Sequence, residues 1–352
     1  MTDIAPDQRY ARQIRFAPIG REGQSKLGQA RVAVVGAGAL GCVIANHLAR
    51  AGAGSLLLID RDIVDFSNLQ RQLLYDEADA ASGAPKAFAA AKRLSAVNGS
   101  IGIEPRAVDL TSANAETLLA GVDLIVDGTD NFGVRYLINE VAVKHGIPWI
   151  YGAAVGASGM TMTIRPGVTP CLRCLFPSAP PGGSLDTCET AGVVAPIVDA
   201  IASIQAMEAI KLLSGHPEAL HGSLLQVDLW NHHWQPLSVA GARRADCPVC
   251  AGRRFEALDS ASSEPMAVSL CGRNTIQVAP AEPVGLDLDR LANRWNAQGV
   301  GQVERTPYLL RLRLPEPDGV VLAVFPDGRA LVTGTEEPAV ARRIYASFLG
   351  DS

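Results

Sequence analysis

The run RVAVV at 31–35 leads directly into GAGALG, so an apolar β-type stretch ends in Gly36-x-Gly38-x-x-Gly41. That junction allows very few folds. The chain must leave a strand through a glycine turn, offer backbone N–H groups to a phosphate, and enter a helix at once. Helix composition continues to Ala51, and SLLLID reads as a second strand ending at Asp60. That is about twenty residues past the glycines, where a dinucleotide-binding fold keeps the acid that holds a ribose. On the glycine turn and Asp60 alone, a redox cofactor such as NAD or FAD is the favoured ligand.

The alternation continues. The sequence predicts a helix from Ala84 to Val97, a strand near Ile101–Val108, a short helix near Ala113–Leu119, a strand over Val122–Val126, a helix from Asn131 to His145 and a strand at Ile147–Ile150. Strands alternating with helices mean a Rossmann-like α/β fold, a mostly parallel sheet with helices on both faces. Past Tyr151 the pattern changes. A strand near Met160–Ile164 precedes Cys171-Leu-Arg-Cys174, the stretch PSAPPGGSLDT leads as an exposed loop to Cys188, and Ala195–Leu213 has the length of one long helix stopping near Gly215.

The small, polar stretch ALDSASSEPMA, residues 257–267, reads as a linker between a domain of residues 1–256 and a tail of residues 268–352. In the tail, VVLAVFPDGRALVTGT is two β-runs about a Pro-Asp-Gly turn and EEPAVARRIYASFLG is a helix begun by acids. The tail is therefore a small α+β module.

A net charge of −5 over 352 residues supplies no field for nucleic acid and turns attention to small molecules or a protein partner. The opening MTDIAPDQRYARQIRF lacks the pattern of a secretory signal, and no apolar run is long enough to span a bilayer. The expected location is the cytoplasm, away from membranes. Cysteine usage agrees: of seven cysteines, Cys171, Cys174, Cys247 and Cys250 form two Cys-x-x-Cys pairs, suited in a reducing compartment to a closed tetrahedral Zn2+ site of structural type. Such a site would clip the region before the Cys188 loop to the region near 250.

The residues after Asp60 tell against a nicotinamide site. Asp62-Ile-Val-Asp65-Phe-Ser67-Asn68-Leu69-Gln70-Arg71-Gln is followed by Ala84-Pro85-Lys86, which offers two cations for the phosphate end of a ligand. Attack on an ATP α-phosphate needs such cations, and hydride transfer does not. The competing reading of Arg71 and Lys86 is solvated surface charge. Asp127-Gly-Thr-Asp130-Asn131 falls at the carboxyl end of a strand, where open α/β sheets hold ligands. Asp130 there suits Mg2+, and its plainer role, or that of Thr129, is a helix N-cap.

Taken in order, GAGALG, LLLIDRDIVDFSNLQRQ, PK, DGTDN, CLRC, TCETAGVVAP, QAMEAIK and CPVC closely resemble the ThiF/MoeB branch of the ubiquitin-activating-enzyme superfamily, over about residues 9 to 253. The resemblance implies an adenylyltransferase that uses MgATP to activate the C-terminal glycine of a ubiquitin-like sulfur carrier ending in Gly-Gly, for thiamine, molybdopterin or related sulfur insertion. It implies that Gly36, Gly38, Ala39 and Gly41 cradle the nucleotide, that Asp60 holds its ribose, and that Ser67, Asn68, Leu69, Gln70 and Arg71 lie along it. Arg71 and Lys86 then face the phosphates, and Asp130 binds Mg2+ beside Asn131. Arg9-Tyr10-Ala11-Arg12 matches a motif whose second arginine reaches the neighbouring subunit's phosphates, so Arg12 implies a homodimer.

Cys188 precedes a helix start, which lowers a thiol pKa, and it is read as a participant in sulfur transfer, with a buried, inert thiol as the alternative. A separate sulfurtransferase is a possible partner, because the tail lacks a rhodanese-type loop. Cys42 and Cys271 read as packing residues, and His232 and His233 as a surface loop without function. Three other readings stand beside this one: a superfamily member acting on a peptide or tRNA-linked carboxylate, an NAD-dependent dehydrogenase, and a scaffold without catalysis.

Overall fold

A computed structural model of the chain describes residues 6–178, 191–259, 267–270, 274–280, 284–315 and 319–350. Cys188 and Cys271 lie outside the described residues. The chain divides into two compact units, Met1–Ser260 and Ala261–Ser352.

The first unit is built on eight strands: β1 (Arg31–Val35), β2 (Ser55–Ile59), β3 (Gly102–Arg106), β4 (Leu124–Asp127), β5 (Trp149–Val155), β6 (Ser158–Ile164), β7 (Ser223–Asp228) and β8 (His233–Ser238). Their order is β3-β2-β1-β4-β5-β6-β7-β8. The first five are mutually parallel. The last three turn back antiparallel, two of them through short hairpins. Residues of β1, β2 and β4 are buried almost throughout, as strands covered on both faces must be, which is why they read as continuous apolar runs and not as alternation.

The helices Ala39–Ala51, Lys86–Val97 and Phe132–His145 follow β1, β2 and β4 as crossovers. The helix Ala195–Leu213 has the bounds its composition predicts. It packs tightly on the sheet: a Cβ on Gly152 of β5 would fall 2.4 Å from the Gln205 side chain. Gln205 in turn donates to the carbonyls of Asp127 at 2.8 Å and of Ile150 at 3.4 Å. One core gathers Ala33, Leu57, Ile125, Ile138, Trp149 and Leu172, among others, beneath the helix Phe132–His145.

Two sequence readings are corrected here. His233 is not in a loop but begins the edge strand β8, while His232 forms the preceding turn with φ +52°. The helix after β4 is capped by Asn131, whose Oδ1 accepts from the N–H of Gly133 at 2.8 Å and of Val134 at 3.2 Å, and not by Thr129 or Asp130. The cap falls at Asn131 because Thr129 is already bound by N–H and hydroxyl to Asp127 Oδ1.

The second unit is a six-stranded antiparallel sheet of β9 (Ala267–Leu270), β10 (Thr275–Val278), β11 (Gln302–Arg305), β12 (Leu310–Arg313), β13 (Val321–Val324) and β14 (Ala330–Thr333). The helices Leu288–Gln298 and Pro338–Leu349 bury Trp295 and Ile344 against Ile276, Leu310, Leu322 and Val332. The β13–β14 hairpin is the one read from Pro-Asp-Gly. The strands β9 to β12 and the first helix carry no comparable sequence signal, since their runs are short and mixed in composition.

Candidate active site

Strand order reverses at β1, which has β2 on one side and β4 on the other. Ligands of open α/β sheets bind in the crevice this leaves at the carboxyl ends. Gly36 sits there with φ +88°. A Cβ on Gly36 would fall 2.8 Å from the carbonyl of Gly128, and one on Gly41 would fall 1.8 Å from the carbonyl of Gly36. These two glycines let the β1 turn, the first helix and the loop after β4 touch backbone to backbone. Gly38 differs. A Cβ there would meet nothing nearer than Gly128 O at 3.9 Å, so its smallness serves the open mouth of the turn. Ala39 is the first helical residue and directs that helix N-terminus at the crevice.

Asp60, at the end of β2, is bound on both oxygens: Oδ2 accepts from Ala37 N and Oδ1 from Asp62 N, each at 2.7 Å. It therefore fastens the glycine turn to the segment that follows. Burial raises the Asp60 carboxyl above its usual range, and the nearby Lys86 ammonium pulls it back. Lys86 is not surface charge. Its residue is 3% exposed, and Nζ lies 3.0 Å from Asp62 Oδ2, while its backbone N–H binds Asp62 O at 2.8 Å. A cation is thus held at the crevice with its charge offset by a carboxylate.

The segment between them forms a short 3-10 turn, Phe66–Asn68, capped by Asp65, which accepts from Ser67 N at 2.8 Å and Ser67 Oγ at 2.6 Å. Asn68 is fully buried and returns a bond from Asp65 N at 3.2 Å. Leu69 is half-buried and Gln70 exposed. Arg71, half-buried, rests Nη1 on Ser67 O at 3.0 Å.

Asp130 and Asn131 are exposed beyond β4. What fixes their loop is a residue the sequence reading missed. Arg135, one turn into the helix, lays Nε 2.9 Å from buried Asp127 Oδ2 and donates Nη2 to Thr129 O at 2.6 Å and Gly152 O at 2.9 Å. Its guanidinium also lies against the rings of Phe132 at 5.3 Å and Tyr151 at 5.2 Å. The signal available was an arginine inside an otherwise apolar helix, eight residues past a strand-end aspartate.

Cys171, Cys174, Cys247 and Cys250 converge from 76 residues apart. Their sulfurs lie within 4.8 Å of one another, with contacts of 3.4, 3.6 and 3.9 Å. A tetrahedron of Zn–S bonds of about 2.3 Å has edges of about 3.8 Å, so the four thiols fit that ion. Burial, and then the neighbouring thiols, push the Cys171 thiol up, and burial and hydrogen bonding bring Cys250 to about 11. At Cys247 burial opposes ionisation, but backbone N–H groups of Cys250 and Val249 carry it below its usual value. The clip is anchored to the core, since Leu172 N donates to Asn139 Oδ1 at 2.8 Å.

A strand-to-helix glycine turn, a buried lysine and a strand-end aspartate loop on this sheet have the arrangement of a nucleotide-binding α/β enzyme. The chain belongs to the ThiF family, whose pattern matches residues 10–249, and it is an adenylyltransferase. The sulfur carrier protein ThiS adenylyltransferase of Bacillus subtilis (strain 168) is 42% identical over 97% of this chain and 99% of its own length. A sulfur carrier protein adenylyltransferase of Thermus thermophilus is 41% identical over 69% and 90%. Among solved structures, E. coli MccB with MccA-N7isoASN superposes with TM-score 0.61 at 23% identity, over 70% of this chain and 76% of that one, a likeness of fold.

Proposed function

We propose that this chain adenylylates the C-terminal glycine of a ubiquitin-like sulfur carrier ending in Gly-Gly, and that the carrier is of the thiamine type. The observation that carries the reading is the join of the glycine turn to a buried cation through Asp60 and Asp62, at distances of 2.7 to 3.0 Å. The thiamine assignment rests on the Bacillus relative, which matches the tail as well as the first unit.

A carboxylate oxygen of the carrier's last glycine attacks the ATP α-phosphorus. The bond to the bridging oxygen breaks, and pyrophosphate leaves with the electron pair. No protein nucleophile is required. Asp60 orients the ribose, Ser67 to Arg71 line the nucleotide, and Lys86 and Arg71 balance the charge that grows on the phosphates. Mg2+ held at Asp130 would neutralise phosphate charge further. Zn2+ in the four cysteines is structural, since a closed site offers no position for substrate. Cys188 acts after the adenylate has formed, in sulfur delivery from a separate sulfurtransferase. The working unit is a cytoplasmic homodimer with Arg12 serving the neighbouring subunit; no helix among the described residues is long and apolar enough to cross a membrane. Chemistry belongs to residues 1–256, which a second module at 268–352 follows.

The test is exchange of labelled pyrophosphate into ATP, expected only with a Gly-Gly carrier present. Lys86→Ala and Asp130→Ala should each lose a factor of about 10² to 10³, and Cys188→Ala should retain exchange. If no carrier supports exchange and the protein instead binds NAD tightly, with Asp60 controlling the affinity, this reading falls and the dehydrogenase takes its place.

A further inference from the structure

We propose that Tyr75 is a positioning residue that presets the phosphate-facing amide of the glycine turn. The inference rests on the adenylyltransferase reading for its ligand, but its geometry is independent of the carrier. Tyr75 is 7% exposed, and its hydroxyl lies 2.6 Å from Ala37 O and 3.2 Å from Lys86 O. A phenol has one proton to donate, and the shorter contact, to Ala37, receives it. Cys42 Sγ lies 3.4 Å from the same carbonyl. Burial, and then the neighbouring Cys42 and Asp60, hold the Tyr75 phenol well above its ordinary value, so it stays a donor at every pH an enzyme meets.

Two consequences follow. The peptide joining Ala37 to Gly38 is planar and trans, so its carbonyl and its N–H point in opposite directions. Drawing Ala37 O inward to Tyr75 and Cys42 turns Gly38 N–H outward, to the open side of the turn. The bond also adds to a chain of contacts. Ala37 N binds Asp60, Asp60 binds Asp62 N and Asp62 holds Lys86, while the Tyr75 hydroxyl, donating to Ala37 O, packs 3.2 Å from Lys86 O. The distance from the cradling turn to the phosphate lysine is thereby fixed before any nucleotide arrives. A turn free to flip this peptide would present a carbonyl oxygen to a phosphate, which repels it.

The experiment measures ATP and adenosine affinity by calorimetry on the full chain with no carrier present. Tyr75→Phe removes one oxygen and keeps the ring. It should weaken ATP about tenfold, the scale of one lost hydrogen bond, while adenosine, which has no phosphate, stays within about twofold. Cys42→Ala, which removes the second donor to Ala37 O, should show a smaller loss of the same kind and serves as the test if Tyr75→Phe does not fold. Unchanged ATP affinity in both variants, or equal losses for ATP and adenosine, overturns the proposal. Carrier-dependent pyrophosphate exchange by the parent chain is scored separately, so an ATP-binding parent without exchange sinks the functional reading while the tenfold phosphate-specific loss still supports Tyr75.

Discussion

Tyr10 packs the hydroxyl end of its ring against Gly52: a Cβ on Gly52 would fall 2.4 Å from Tyr10 Cζ. Asn98 Nδ2 donates to the Tyr10 hydroxyl at 2.9 Å, and Gln13 Nε2 to Ala51 O at 2.9 Å. The N-terminal motif is therefore pinned where the helix Ala39–Ala51 ends. That helix has 13 residues, about 20 Å of rise, and the glycine turn is at its other end. Arg12, exposed one residue before Gln13, is held far from the crevice of its own chain.

The first prediction concerns that separation. If Arg12 serves a neighbouring subunit, inactive Arg12→Ala and inactive Lys86→Ala, mixed under conditions of subunit exchange, should regain activity through hybrid dimers with one intact site each. Absence of rescue despite exchange demonstrated by native mass spectrometry would count against action in trans.

The cysteine clip leads to the second. Purified protein should carry about one zinc per chain, and Cys247→Ser with Cys250→Ser should lower its melting temperature, because metal binding free energy at such a site is folding free energy. Protons compete with metal for the thiolates, and burial holds Cys171 and Cys250 above their ordinary values. A chelator should therefore strip the metal faster at pH 6 than at pH 8. Metal content by mass spectrometry along the pH series decides it.

Arg135 supplies the third. Arg135→Leu leaves Asp127 buried without its partner and should cost about 3–5 kcal/mol of stability. Arg135→Lys keeps the charge but loses the fork that reaches Asp127, Thr129 and Gly152 together, and should cost less while still weakening nucleotide turnover, since the loop carrying Asp130 is released. Urea unfolding beside exchange kinetics checks both effects. A lysine variant as stable and active as the parent would show the fork to be dispensable.

The sequence by itself determined whatever depends on neighbours along the chain. RVAVV before GAGALG dictates strand, turn and helix because glycine spacing and apolar runs act within a few residues. Ala195–Leu213 declares its helix by length and composition, and Pro-Asp-Gly declares the β13–β14 hairpin. The two Cys-x-x-Cys pairs mark candidate metal ligands, although only the fold brings them together from 76 positions apart. Tertiary structure decided what depends on partners far apart. Ala37 meets Tyr75 across 38 positions, and a tyrosine in the sequence carries no mark of the carbonyl it will bind. Lys86 reads equally well as surface charge until Asp62 is seen 3.0 Å away and the side chain buried. The same holds for β8, whose exposed residues alternate nothing and form a strand only because β7 offers an open edge to pair with. Local propensity is written in order along the chain, whereas burial and pairing exist only once the sheet has brought distant segments together.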